Sequence, residues 1–443
     1  MFTRRDFLKR SVEGSSLLAL GATVPHFIAS TAQAAEKGKD KVLVVLEMGG
    51  GNDGLNTVIP YGDDLYYKAR PTLGIKKEQA IRVDDHIGLH PSLSGLSELL
   101  QNDQLAIVQG VGYPNPNRSH FESMDIWQSA DPRGKTGNGW LGRTIADLNV
   151  QGGRIPAFHM GKGQLPLALQ GSATGIPSLN TEKPFGLDLI GEFHGHQPDG
   201  SKRKRPKTDK PSPRVATRKQ TIEDVARHAP DDAGSLLQFV RRTSLDTYAT
   251  VDQLKEIINK EFKVPKAQGG FSEGRYRRLR SGLQYELMLV ARMIRAGFGT
   301  RVFYVSIDGF DTHSQQRQRH QQLMNKISNS VRTFFNELKG SGDADRVVLM
   351  TFSEFGRRVN ENGSKGTDHG SGSCLFLAGP AVKAGLIGNH PSLASDDLAN
   401  GDLKFHTDFR RVYATLLDGW LGCDSRRVLG EKFEHVDLLA KTA

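Results

Sequence analysis

The chain has 443 residues, 37% of them hydrophobic and 24% charged, with 49 glycines, which excludes a disordered chain and a long helical rod and fits one elaborated α/β core with insertions. Lysine and arginine outnumber aspartate and glutamate by 59 to 49, a net +10, yet +8 of this falls between Lys202 and Lys219 and +2 in residues 1–34. The body is therefore formally neutral, and a nucleic-acid partner is not expected.

The amino terminus reads Thr3-Arg4-Arg5-Asp6-Phe7-Leu8-Lys9, then a mildly apolar run from Leu17 to Ile28, then Ala32-Gln33-Ala34. It resembles a twin-arginine export signal with a signal-peptidase site, so residues 1–34 are expected to address the chain, through the twin-arginine translocase, to the periplasm or beyond. Gly21 and Pro25 interrupt the apolar run, and after it no stretch offers about 20 unbroken apolar residues, so the mature chain is expected to lack a transmembrane segment. The two cysteines, Cys374 and Cys423, are expected to stay unbridged, because Cys374 sits in an apolar strand-like run where a thiol acts as a small hydrophobe.

Short β-rich runs predict strands at Val42–Met48, Leu105–Val111, Ile155–Met160, Arg301–Ile307, Val347–Phe352 and Cys374–Ala378. Helical spacing separates several of them. Leu279, Leu283, Leu287, Val290, Ala291 and Ile294 precede the fourth, and Met324, Ile327, Val331, Phe334, Phe335 and Leu338 precede the fifth. Alternating strands and helices predict a mainly parallel sheet sandwiched by helices. Ligands of such sheets bind beyond the carboxyl ends of the strands, and four runs lead into polar clusters there. These are Gly49-Gly50-Gly51-Asn52-Asp53-Gly54, then Asn117-Arg118-Ser119-His120-Phe121-Glu122, then Asp308-Gly309-Phe310-Asp311-Thr312-His313, and finally Ser353-Glu354-Phe355-Gly356-Arg357 with Thr367-Asp368-His369-Gly370.

The strings GGNDGLNTVIPY, RSHFESMDIWQ, DGFDTHSQQRQRH and TFSEFGRRVNENGSKGTDHG resemble the signature segments of the domain-of-unknown-function family 1501, in order along the mature chain. That family is placed by similarity in the alkaline phosphatase and sulfatase superfamily. The resemblance implies an alkaline-phosphatase-like core and one or two divalent ions (Zn, Mn, Mg or Ca). Carboxylates and imidazoles suit such ions, which can hold the attacking and leaving oxygens of phosphoryl or sulfuryl transfer. It implies Asp53 as the first ligand, Asp308 or Asp311 with His313 as an Asp and His pair, and Asp368 with His369 as the adjacent Asp-His pair. A further histidine usual in the superfamily has His390 and His406 as candidates.

Several of these residues have two readings. Ser119 is a nucleophile where helix N–H groups favour an anionic oxygen, or it caps that helix in a capping box with Glu122. His120 is a ligand, a general acid or a packed histidine. Glu354 completes the metal shell or pairs with Arg357. Arg118 and Arg357 would bind non-bridging oxygens of the ester, and Asn52-Asp53-Gly54 alone would be ordinary turn chemistry.

The α/β alternation stops over residues 191–270, which divides the core into residues 35–190 and 271–443. The tract around Lys202–Lys219, with Pro198, Pro206, Pro211 and Pro213, is expected to be a disordered loop. It would attract an anionic glycan or envelope surface, or have no dedicated partner. Leu236, Phe239, Val240, Tyr248, Val251, Leu254 and Ile258 then predict an inserted helical cap. Two functions follow from the whole reading: an exported, metal-dependent hydrolase of small or polymeric phosphate or sulfate esters, or a non-catalytic envelope protein that binds anionic glycans or a protein through the same cleft.

Overall fold

The structure, a computed structural model, describes residues 40–134, 136–148, 155–161, 164–172, 175–179 and 282–440. The expected export signal and the insertion over 191–270, with its basic tract, lie outside the described residues. In chain order the strands are β1 (Val42–Gly49), β2 (Val58–Ile59), β3 (Ile81–Arg82), β4 (Gly88–Leu89), β5 (Leu105–Gly112), β6 (Ala157–Met160), β7 (Ser178–Leu179), β8 (Val302–Asp308), β9 (Val347–Phe352), β10 (Ser373–Ala378), β11 (Gly385–Ile387) and β12 (Thr407–Asp408). The helices are α1 (Asp64–Ala69), α2 (Ser94–Gln101), α3 (His120–Ser129), α4 (Trp140–Asp147), α5 (Leu283–Arg295), α6 (Gln316–Lys339), α7 (Phe409–Leu416) and α8 (Ser425–Leu429).

All six expected strands are present, as β1, β5, β6, β8, β9 and β10. They belong to one sheet with the order β11-β5-β10-β9-β1-β8-β6-β7, and β12 pairs with β5. A separate small sheet has the order β2-β4-β3. The large sheet is mixed and mostly parallel, because β10 runs antiparallel to both β5 and β9. That reversal keeps the segment 353–372 at one edge: it leaves β9 and enters β10 without crossing the sheet.

The sheet is covered on both faces, which explains the unbroken apolar runs of its strands. On β1, Val42, Val44, Leu46 and Met48 pack into one core with apolar residues of α2, α5 and α6. Leu43 and Val45 face the other core, with residues of α3, α4 and α7. In that second core Trp127 of α3 stacks on Phe409 at 4.3 Å and on Phe352 of β9 at 5.4 Å. The stack fixes where α3 lies and so where its first residue, His120, meets the sheet edge. Cys374 and Cys423 are both buried and unbridged. Among the described residues no helix is long and apolar enough to cross a membrane.

Register decides which loops are neighbours. Gly49 of β1 lies opposite Asp308 of β8, and Glu47 lies opposite Phe352 of β9. The three strands therefore end side by side. A buried ion pair ties two of their loops together: Arg70 donates through Nη1 to Asp53 Oδ2 at 2.6 Å and through Nη2 to Asp53 Oδ1 at 3.1 Å, and both side chains are fully enclosed. The same guanidinium donates to the carbonyls of Val359 at 2.6 Å and Arg358 at 2.8 Å. Removing one member of such a pair strands the other charge in the interior, so Arg70→Met should cost about 3–5 kcal/mol. Urea unfolding of the two proteins checks this, and a loss below about 1 kcal/mol would show that the pair is dispensable.

Candidate metal centre

The site begins with backbone that only glycine can form. Gly50 and Gly51 have φ of 114° and 74°, and a Cβ on Gly50 would lie 2.4 Å from the Asp311 nitrogen, one on Gly51 2.3 Å from the Phe355 ring. Without side chains the loop after β1 nests against the loops after β8 and β9. Arg357 then joins all three. Its side chain is wholly buried. Nε donates to Gly51 O at 2.7 Å, Nη1 to Thr367 O at 2.8 Å, and Nη2 to Phe310 O at 3.0 Å, to Gly50 O and to Asp311 Oδ1 at 2.8 Å.

Asp311 Oδ1 is the point on which three imidazoles converge. Nε2 lies 3.2 Å away for His369, 3.1 Å for His313 and 3.5 Å for His120. Each ring is held from behind by its Nδ1: His120 on Glu354 Oε1 at 2.8 Å, His313 on Asp368 Oδ1 at 3.0 Å, and His369 on the Arg118 carbonyl at 2.8 Å. An Nδ1–H donated to a carboxylate or carbonyl leaves Nε2 as a lone pair. Two such nitrogens, of His313 and His369, face each other at 2.9 Å, an arrangement that needs a proton or a cation between them. The His120 Nε2 is buried without a hydrogen-bond partner among the described residues.

These features fit a divalent ion. His120, Asp311 and His369 offer ligand atoms that all lie within 4.8 Å of one another, and bonds of about 2.0–2.1 Å in tetrahedral geometry place donor atoms about 3.3 Å apart. The backing of each imidazole by a carboxylate or carbonyl is the arrangement that metal-bound histidines require for orientation. Electrostatics agree. Partial burial acts against ionisation of Asp311, yet the hydrogen bond and charge of Arg357 hold its carboxyl down at about 2. The Glu354 hydrogen bond raises His120 above the ordinary range, whereas burial lowers His369.

The other sequence candidates fall in different places. Asp53 stands outside the cluster: both its oxygens are taken by Arg70, with Gln316 Nε2 also donating to Oδ2. Burial alone would raise its carboxyl, but Arg70 keeps it lowered and ionised. Asp308 closes β8 and lines a separate cavity of about 570 Å³ with Ser306 and Asn325, so Asp311 is the aspartate that meets His313. Glu354 and Asp368 each accept from an imidazole Nδ1, of His120 and His313 respectively. Arg357 is wholly buried and turns its Nε, Nη1 and Nη2 to internal acceptors. Arg118 is committed too, donating through Nε at 3.0 Å and through Nη2 at 2.5 Å to Asp402 Oδ2. Ser119 precedes α3 but makes no side-chain cap, and the expected capping box is absent because Glu122 accepts from Asn117 Nδ2 instead. His406 bonds to Asn389 O and Thr407 Oγ1, and His390 to Pro391 O, away from the cluster. Asn362, which donates to Asp368 Oδ1 at 3.1 Å, carried no signal in the sequence.

An α/β core with a histidine and aspartate centre at the carboxyl edge of its sheet is the class that fold and site define. The model of the family described as "Protein of unknown function (DUF1501)" matches residues 40–433, and the chain belongs to that family. No curated protein matches it. Among solved structures, the C-terminal periplasmic domain of EcEptC from Escherichia coli, in complex with Zn, is similar at 10% identity, TM-score 0.33, over 78% of this chain and 75% of that one. The PsFucS1 sulfatase from Pseudoalteromonas sp. is similar at 10% identity and TM-score 0.33 over 86% and 73%. A protein in the alkaline phosphatase superfamily from Vibrio parahaemolyticus gives 12% identity and TM-score 0.31 over 80% and 63%.

One acidic group near the centre escaped the sequence reading because it lies inside a strand. Glu47 of β1 accepts from Gln128 Nε2 at 2.8 Å and from Tyr304 Oη. Burial raises its carboxyl to about 7 despite those two bonds, and Glu354 and Asp308 add to the rise. The folded state therefore keeps this proton between about pH 4.5 and 7 while the unfolded chain releases it, so stability falls as pH rises through that window and levels off above it. Glu47→Gln should remove that part of the slope, on the order of 2–3 kcal/mol between pH 4.5 and 7.5. Urea unfolding across that range tests it; parallel curves for the two proteins would contradict the assignment.

Proposed function

We propose that this protein is an exported, metal-dependent hydrolase of phosphate or sulfate esters. The observation that carries the reading is the convergence of His120, Asp311 and His369 on one small volume, with every imidazole held from behind. His120 Nε2, Asp311 Oδ1 and His369 Nε2 would hold the ion, with His313 beside them. When bound, a divalent ion supplies Lewis-acid stabilisation of negative charge on the ester oxygens.

The chain's own residues have distinct tasks in this reading. Ser119 lies between Arg118, whose carbonyl orients His369, and His120. Its hydroxyl makes no cap bond and stands at the start of a ten-residue helix, where N–H groups favour an anionic oxygen. Attack by Ser119 Oγ on phosphorus or sulfur would release the alcohol and leave a seryl ester, which water then cleaves. Glu354 and Asp368 keep the imidazoles aimed, and Arg357 holds Asp311 ionised. The twin-arginine segment supports export to the periplasm or beyond before any of this chemistry is used.

A second reading, a non-catalytic envelope protein that binds an anionic glycan or a protein in the same cleft, draws on one observation. Arg118 and Arg357, the cations expected to grip ester oxygens, are both engaged by internal acceptors. Turnover of 4-nitrophenyl phosphate and 4-nitrophenyl sulfate by the metal-loaded protein separates the two. The hydrolase reading expects turnover of one ester, a drop of at least about 10³-fold in Ser119→Ala with metal retained, and loss of both metal and turnover in His369→Ala. Metal-loaded protein that turns over neither ester would leave the binding reading in its place.

A further inference from the structure

We propose that a second small-molecule site lies beside α6, apart from the metal centre, and that it takes a small organic carboxylate. A cavity of about 350 Å³ opens there, with Leu73, Ile75, Gln79, His90, Arg317 and His320 among its walls. None of these six belongs to the histidine and aspartate cluster described above.

His90 supplies the observation that points to a ligand. It is only 6% exposed, and its Nδ1 accepts from the Ser92 N–H at 3.0 Å, so the proton sits on Nε2. That Nε2–H has no hydrogen-bond partner among the described residues, while the residue lines the cavity. That donor opens onto the cavity, where an occupant that presents an acceptor can take the place of water. The ring is held in place by edge-to-face contact with His320 at 5.5 Å, itself fixed by Asn52 Oδ1 at 3.2 Å.

Charge narrows the class. Burial, with the neighbouring His320 and Arg317, holds His90 down at about 3, and burial holds His320 at about 4, so both rings are neutral at pH 7. Among the described residues no aspartate or glutamate lines the cavity, and the charge on its wall is the Arg317 guanidinium, which donates through Nη2 to Thr72 O and keeps further N–H groups for a ligand. An occupant therefore has to bring acceptors and gains from negative charge. Leu73 and Ile75 provide an apolar wall for a short carbon skeleton. Among the described residues a cation has no acidic partner in the lining, and two imidazoles without a third ligand do not make a metal site.

Isothermal titration calorimetry of the full chain at pH 7.5 tests the site with benzoate, the neutral isostere benzamide and the cation benzylamine. Benzoate should bind at least about tenfold more tightly than benzamide, and benzylamine should not bind. The solvent-facing Arg317→Gln should bring benzoate to within about threefold of benzamide, and His90→Phe should weaken benzoate at least about tenfold. His369→Ala, which disables the metal centre, should leave benzoate binding unchanged; this arm separates the present inference from the hydrolase reading. Equal affinity for benzoate and benzamide, no binding of benzoate, or loss of benzoate binding in His369→Ala would each overturn it.

Discussion

Everything at the carboxyl edge of the sheet depends on one enclosed guanidinium. Arg357 commits its N–H groups to the carbonyls of Gly50, Gly51, Phe310 and Thr367 and to Asp311. Those acceptors come from the loops after β1, β8 and β9, which the parallel register has already placed side by side. A lysine could not replace this pattern, because a single ammonium cannot donate in several fixed directions at once. The glycines at 50 and 51 make the approach sterically possible, and the nearby Asp53–Arg70 pair locks the loops after β1 and β9 from the other side.

Because those loops are fixed, the imidazoles arrive with their orientation settled. Trp127 anchors α3 in the core and so places His120; the antiparallel return of β10 keeps Asp368 and His369 on the same edge as the ends of β1, β8 and β9. Glu354, Asp368 and the Arg118 carbonyl then select which ring nitrogen carries the proton. The result is a set of Nε2 lone pairs aimed at a carboxylate that Arg357 keeps ionised. A lining this rich in acceptors is unstable alone in a partly buried site and is relieved by a cation.

Much of the fold was legible in the sequence. Doubly buried strands appear as unbroken apolar runs, and helical spacing between them implied the covering layers. The direction of β10 was not legible, since a strand buried on both faces reads the same either way. In the site, composition located the loops but could not distinguish roles within them. Asp53 and Asp311 both follow strands next to turn residues, and what sets them apart is the buried Arg70 on Asp53, a pairing that the letters of neither cluster show. Arg357 looked like a hand for substrate oxygens because burial cannot be read from a cluster of polar letters. His90 and Glu47 lay in segments of ordinary composition, so nothing marked them until the cavity and the strand interior were visible.

The account rests on the claim that three residues, one opening α3 and two from the segments after β8 and β9, form one cation site. Diffraction from zinc-loaded crystals, collected on both sides of the zinc absorption edge, tests it directly. The account predicts an anomalous peak bounded by His120 Nε2, Asp311 Oδ1 and His369 Nε2, with Arg70 still paired to Asp53. A peak at Asp53 or Asp308, or no peak at the edge of the sheet, would contradict it.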